Sequence, residues 1–121
     1  MFDQFKAMGA VAGLMKNKER LQEAGEELKE RLAAIRAEGE AGGGAVRTVA
    51  SGDFKIVDVT VSAAAMAASD ESSVAMLESL IAEAANEALY RARALAQAEV
   101  AQMANELGLP GMPGLGGLLP E

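Results

Sequence analysis

The 121-residue chain has no cysteine, no histidine and no tryptophan, and its aromatic residues are three Phe and one Tyr. Without Cys or His it lacks disulfides, thiol chemistry, imidazole acid–base catalysis and the ligands zinc prefers. No apolar run approaches the roughly 20 residues that span a bilayer. The N-terminal MFDQFKAMG has no basic region followed by an apolar core, so no secretion signal is read there. A soluble, cytoplasmic protein is expected. Neither G-x-x-x-x-G-K-[ST] nor G-x-G-x-x-G occurs. Glycines 42–44 precede a strand instead of opening a helix, so they lack the helix N-terminus that phosphate loops exploit. Glu83 and Glu87, four apart, have no His or partner cluster and read as surface residues, not metal ligands. The chain is read as a non-enzyme with no catalytic residues, no cofactor, no metal and no small-molecule substrate.

Half of the residues are hydrophobic, but with so few aromatics the core is one of long, alanine-rich helices. Such a thin core is expected to lean on self-association. The formal net charge of −7 argues against a general coat for polyanions. The charge is unevenly placed, however. Seven bases balance seven acids over residues 1–38, whereas residues 63–121 hold two bases against eight acids. The acidic surface therefore leaves room for a basic partner protein.

Residues 39–62 are the only stretch with β character. Glycines at 39, 42, 43 and 44 end what precedes them. Two runs rich in β-branched residues, 45–50 and 54–61, flank Ser51-Gly52-Asp53 and read as a β-hairpin. Val57, Val59 and Val61 point one way and Asp58 and Thr60 the other, the alternation of a strand with one wet face. A lone hairpin is marginal in water, so helices or a second copy must complete it.

A long helix is predicted over residues 2–38, with Leu14, Leu21, Leu28 and Ile35 at heptad spacing and Leu32 on the same side. Gly25 inside this pattern suggests close packing or a bend. Bases flank the apolar stripe and admit two readings: stems covering a helix seam, or cations facing phosphates. After a small-residue connector at 63–69, Asp70, Ser69 or Ser72 caps a second long helix. It runs to about Leu107, where Gly108 and Pro110 stop it. The predicted class is α+β: long helix, small antiparallel sheet, long helix, in one domain over residues 1–107. Residues 108–121 form a Gly/Pro-rich flexible tail.

A heptad-bearing helix is thus followed by Gly39-Glu40-Ala41-Gly42-Gly43-Gly44-Ala45-Val46-Arg47, then by Gly52 and the valine strand. Leu77-Glu78-Ser79-Leu80-Ile81 and Ala84-Ala85-Asn86-Glu87-Ala88 come next, and a Gly/Pro/Met/Leu tail closes the chain. Over nearly its full length this order resembles the YbaB/EbfC family of bacterial nucleoid-associated proteins. The resemblance implies a homodimer joined through the central sheet, here by Val46, Val49, Val57, Val59 and Val61. It also implies helical arms that bind duplex DNA in the nucleoid, contributing to chromosome organisation and gene regulation. On those arms lie Lys16, Lys18, Arg20, Lys29, Arg31, Arg36, Arg91 and Arg93, expected to contact phosphates; no recognition-helix pattern suggests base readout.

Two long helices joined by a hairpin also describe prefoldin-like holdases. The competing function is therefore an adaptor or protein–protein interaction module without direct DNA binding.

Overall fold

The computed structural model describes the backbone of residues 2–67 and 69–108, with side chains from Lys18 onward in those stretches. The tail after Gly108 and the side chains of Leu14 and Lys16 lie outside the described residues. The order of elements is α1 (Phe2–Ala34), β1 (Ala37–Ala41), β2 (Val46–Ala50), β3 (Ile56–Val61), α2 (Ala63–Ala67) and α3 (Glu71–Glu106).

Helix α1 ends at Ala34, short of the predicted residue 38, and its last carbonyls explain why. Arg36 Nη1 donates to the carbonyl oxygens of Ala33 and Ile35, at 2.7 and 2.9 Å. Those acceptors lack partners at a helix C-terminus. The chain then turns into β1, a strand beyond the predicted hairpin. It pairs antiparallel with β2 from Ala37↔Ala50 to Ala41↔Val46. The sheet is three-stranded, in the order β1-β2-β3.

One face of this sheet is made of small residues. Ala37, Gly39 and Ala41 of β1 and Val46, Thr48 and Ala50 of β2 alternate inward and are buried. Opposite them α3 presents Ala84, Ala88, Ala92 and Ala96, all fully buried. Spaced four apart, these alanines form one stripe along the helix. Small residues on both sides allow the backbones to approach closely. A Cβ placed on Gly39 would stand 2.1 Å from the Ala84 carbonyl oxygen and 2.5 Å from the Ala88 amide nitrogen. Thr48 Oγ1 donates to the same Ala84 carbonyl at 2.7 Å, which satisfies the one hydroxyl buried beneath the helix.

Asp70 is the residue that caps α3, accepting a hydrogen bond from the Ser73 amide at 3.3 Å. Bonding from Ser73, through its side chain and then its amide, holds the Asp70 carboxyl below the usual aspartate range. The other end closes at Leu107, with Gly108 at φ +70°.

α1 meets α3 where Leu28 and Leu32 pack on Ala96 and Val100, together with Phe54. Phe54 adopts φ +63°, a region bulky residues seldom enter. Its ring is held in that apolar cluster, and its amide donates to the Ser51 carbonyl at 3.0 Å. The turn is tightened by Ser51 Oγ, which donates to the Asp53 carboxylate and holds its pKa low. Gly52 lies against α1: its amide donates to the Leu32 carbonyl at 2.9 Å, and a Cβ there would be 2.6 Å from that oxygen.

Gly25 proves to be neither a close contact nor a packing device, since nothing lies within 4 Å of a Cβ built there. Gly25→Ala is therefore expected to stabilise the protein by about 0.5–1 kcal/mol, through helix propensity and a stiffer unfolded chain. Thermal unfolding followed by circular dichroism should show the midpoint rise by several degrees.

Candidate nucleic-acid interface

The sequence offers eight arm cations of equal standing, and the fold separates them. Lys18, Arg20 and Lys29 are exposed on α1 and make no ion pair or hydrogen bond among the described residues. At about 100° per residue, Lys18 and Lys29 fall within about 20° of each other around the α1 axis. Glu19, Glu23, Glu26 and Glu30 form an acidic ridge beside that line, and Arg20 stands beyond the ridge.

Arg31 is committed elsewhere. Its Nη2 donates to Glu27 at 2.6 Å, and its Nη1 donates to Glu99 at 3.2 Å and Glu106 at 3.3 Å. One guanidinium thus ties α1 to the far half of α3, and the bond to Glu27, the largest cause, raises its pKa further. Only the Glu27–Arg31 spacing of four was visible in the sequence. Glu99 and Glu106 are brought in by the fold.

Arg36 closes the end of α1, as described. Arg91 pairs with Glu87 at 2.8 Å and donates to the Glu38 carbonyl of β1 at 3.3 Å. Arg36, Glu38, Tyr90, Arg91 and Leu95 line an open groove of about 600 Å³, in which two bases face one acid. Arg93 is half-buried like Arg31, but its Nε is enclosed with no hydrogen-bond partner among the described residues. On the sheet, Arg47 pairs with Glu40 and Lys55 with Asp53.

The valines of the proposed dimer contact divide just as sharply. Val46 is fully buried under α3 with Ala41 and Ala84, and has no surface left for a partner. Val49 is half-buried on the opposite face of the sheet. The register places Val59 opposite Thr48 and Val61 opposite Val46, so both point to the α3 side. α3 lies over β1 and β2, however, and leaves Val57 and Val59 at 45% and 46% exposure.

Among the described residues no group of three or more carboxylates is placed to hold a metal ion, and no helix is long and apolar enough to cross a membrane.

A sheet covered on one face by one helix, an apolar edge strand, and cations on a separate helix that pair with nothing among the described residues define a small α+β protein. The chain belongs to the YbaB/EbfC DNA-binding family, whose profile matches residues 8–107. It is 36% identical over 107 residues to a nucleoid-associated protein of Acetivibrio thermocellus, covering 88% of this chain and 90% of that one. A nucleoid-associated protein of Anaeromyxobacter dehalogenans is 35% identical over 101 residues, covering 84% and 95%. One from Pelotomaculum thermopropionicum is 34% identical over 104 residues, covering 86% and 96%.

Proposed function

We propose that the protein is a nucleoid-associated DNA-binding protein that grips duplex DNA as a homodimer, through phosphate contacts made by α1. The observation that carries this reading is the set of exposed cations Lys18, Arg20 and Lys29, unpaired among the described residues, in a chain of this family, with Lys16 on the same helix. Arg31 and Arg36 serve mainly to hold that helix in place, and Arg91 is drawn back onto β1.

The dimer matters because the whole chain is acidic. One protomer offers too few free bases to retain a polyanion. Two copies double the number of phosphates neutralised and make the second arm's contact intramolecular, which raises avidity without new chemistry. Charged side chains reaching phosphates fix the protein on the duplex but carry no sequence information. The binding is accordingly read as weakly sequence-selective, suited to organising the chromosome in the nucleoid.

Fluorescence anisotropy of a labelled duplex, titrated between 50 and 200 mM salt, tests the reading. Affinity should fall by about a thousandfold if some six phosphates are neutralised. A salt-independent affinity overturns the phosphate model. Suppressed aggregation of a denatured client with no duplex binding would instead establish a holdase-type role.

A further inference from the structure

The groove beside Tyr90 is filled by no element among the described residues. Tyr90 is 73% exposed and Leu95 46%, and both line it together with Ala94 and Ala37. It lies at the β1 edge of the sheet, on the side away from β3. Its charged residues are Arg36 and Arg91 against Glu38 alone. Arg36 spends its hydrogen bonds on backbone carbonyls, so its charge meets no carboxylate among the described residues. Such a groove suits a segment that is apolar and ends in an acid.

A track on α3 leads from this groove to the end of the helix. At 100° per residue, Arg91, Ala94, Ala98, Gln102 and Asn105 fall within about 80° of one another around the axis. All five are exposed, and beyond Arg91 the track carries no charge. It runs to Gly108, whose φ of +70° turns the chain out of the helix. Thirteen residues follow, LPGMPGLGGLLPE. They include Pro110-Gly111-Met112-Pro113, the P-x-x-P spacing that favours an extended polyproline II chain. Leu115, Leu118 and Leu119 come next, and the one charged residue is Glu121.

We propose that residues 109–121 run back along this track and seat Leu118 and Leu119 in the groove of their own chain, against Tyr90 and Leu95, with Glu121 paired to Arg36. The inference depends neither on duplex binding nor on the dimer. At 1.5 Å per residue, Leu95 lies about 20 Å and Tyr90 about 27 Å from Gly108 along the helix. A polyproline II chain, at about 3.1 Å per residue, covers that in about six to nine residues. The remaining residues allow the chain to reverse, which brings Leu118 and Leu119 to the groove in place of Leu109 or Met112. A second apolar hollow, beside Leu77 and Leu80, lies about 42–47 Å from Gly108, beyond the roughly 40 Å that the tail spans. Reach therefore selects the groove. A short tether holds its end at an effective concentration in the millimolar range, so contacts too weak to bind a free peptide suffice. The seated tail also shelters the outer edge of β1, which pairs only with β2.

Tyr90 is the chain's one tyrosine and there is no tryptophan, so tyrosine fluorescence reports on this groove alone. Acrylamide quenching of the full chain and of its L118S/L119S variant tests the docking. With an intrinsic affinity near the tether's effective concentration the groove is filled about half of the time, and the variant should be quenched about twice as strongly as wild type. E121K should fall between the two. Circular dichroism identical to wild type confirms that the variants are folded. Equal quenching of wild type and L118S/L119S overturns the proposal. Protection of wild type that fades on dilution places the leucines in another molecule's groove and overturns docking within one chain. Protection that arises only when duplex DNA is added gives the groove to nucleic acid and overturns it as well.

Discussion

Replacing Lys18, Arg20 and Lys29 together by Gln should lower the slope of log affinity against log salt by about 5 and leave little duplex binding at 150 mM. The figure follows from counting. Three charges per protomer, doubled by the dimer, remove six phosphate contacts, each contributing about 0.9 to the slope on B-DNA. These residues make no ion pair among the described residues, so their loss unbalances no neighbour within that set. Thermal stability should stay near that of wild type, since solvent-exposed charges contribute little to folding. Two controls separate contact from architecture. Arg47→Gln with Lys55→Gln removes the same kind of charge from residues already paired with Glu40 and Asp53 on the sheet. That variant should keep the wild-type slope. Arg31→Gln leaves Glu27, Glu99 and Glu106 facing one another without their shared cation. It should lower the melting temperature and change affinity through a loosened α1, with the slope barely altered. If the triple variant binds as wild type does, the contact surface lies elsewhere.

That ranking of the cations could not be read in one dimension. Arg31 looked equivalent to Lys29 because two of its three carboxylate partners are 68 and 75 positions away. Likewise the alternation put Val59 and Val61 on one face, as the register does, but the expected single wet face is not found, since residues 56–60 are all exposed. It could not say how far across the sheet α3 would reach, and that alone decides why Val46 is buried and Val59 is not. Local chemistry was more legible. The start of α3 was legible to within Ser69, Asp70 or Ser72, of which Asp70 is the cap, and Gly108 marked its end, because capping and left-handed termination are properties of a few adjacent residues. β1 was missed for the opposite reason. Ala-Glu-Gly-Glu-Ala has almost no intrinsic strand preference, and only its small–acidic alternation hinted at two faces. It is a strand because Ala37, Gly39 and Ala41 are the residues small enough to lie beneath the alanine stripe of α3.

That account of β1 makes Gly39→Ala the most damaging single methyl group in the protein. The added carbon would stand 2.1 Å from the Ala84 oxygen, 2.5 Å from the Ala88 nitrogen and 3.1 Å from the Ala88 Cα. All three are backbone atoms at the centre of α3, so no side chain can rotate away. The helix must rise from the sheet, which opens the contacts of Ala37, Ala41, Val46 and Ala50 and stretches the Thr48 hydrogen bond. Overpacking in a well-fitted core costs about 1–3 kcal/mol when neighbours can give, and here the obstruction is rigid. A loss of about 3 kcal/mol or more is expected, lowering the melting temperature by on the order of 15 °C. Gly43→Ala provides the comparison. Gly43 has φ +66° but nothing within 4 Å of its missing Cβ, so only the conformational penalty of about 1–2 kcal/mol applies. A larger effect at Gly43 than at Gly39 would mean that backbone conformation, and not the approach of helix to sheet, limits the stability of this fold. Equal solubility and equal dimer content in the two variants would then remove the alanine-on-alanine interface as the organising contact.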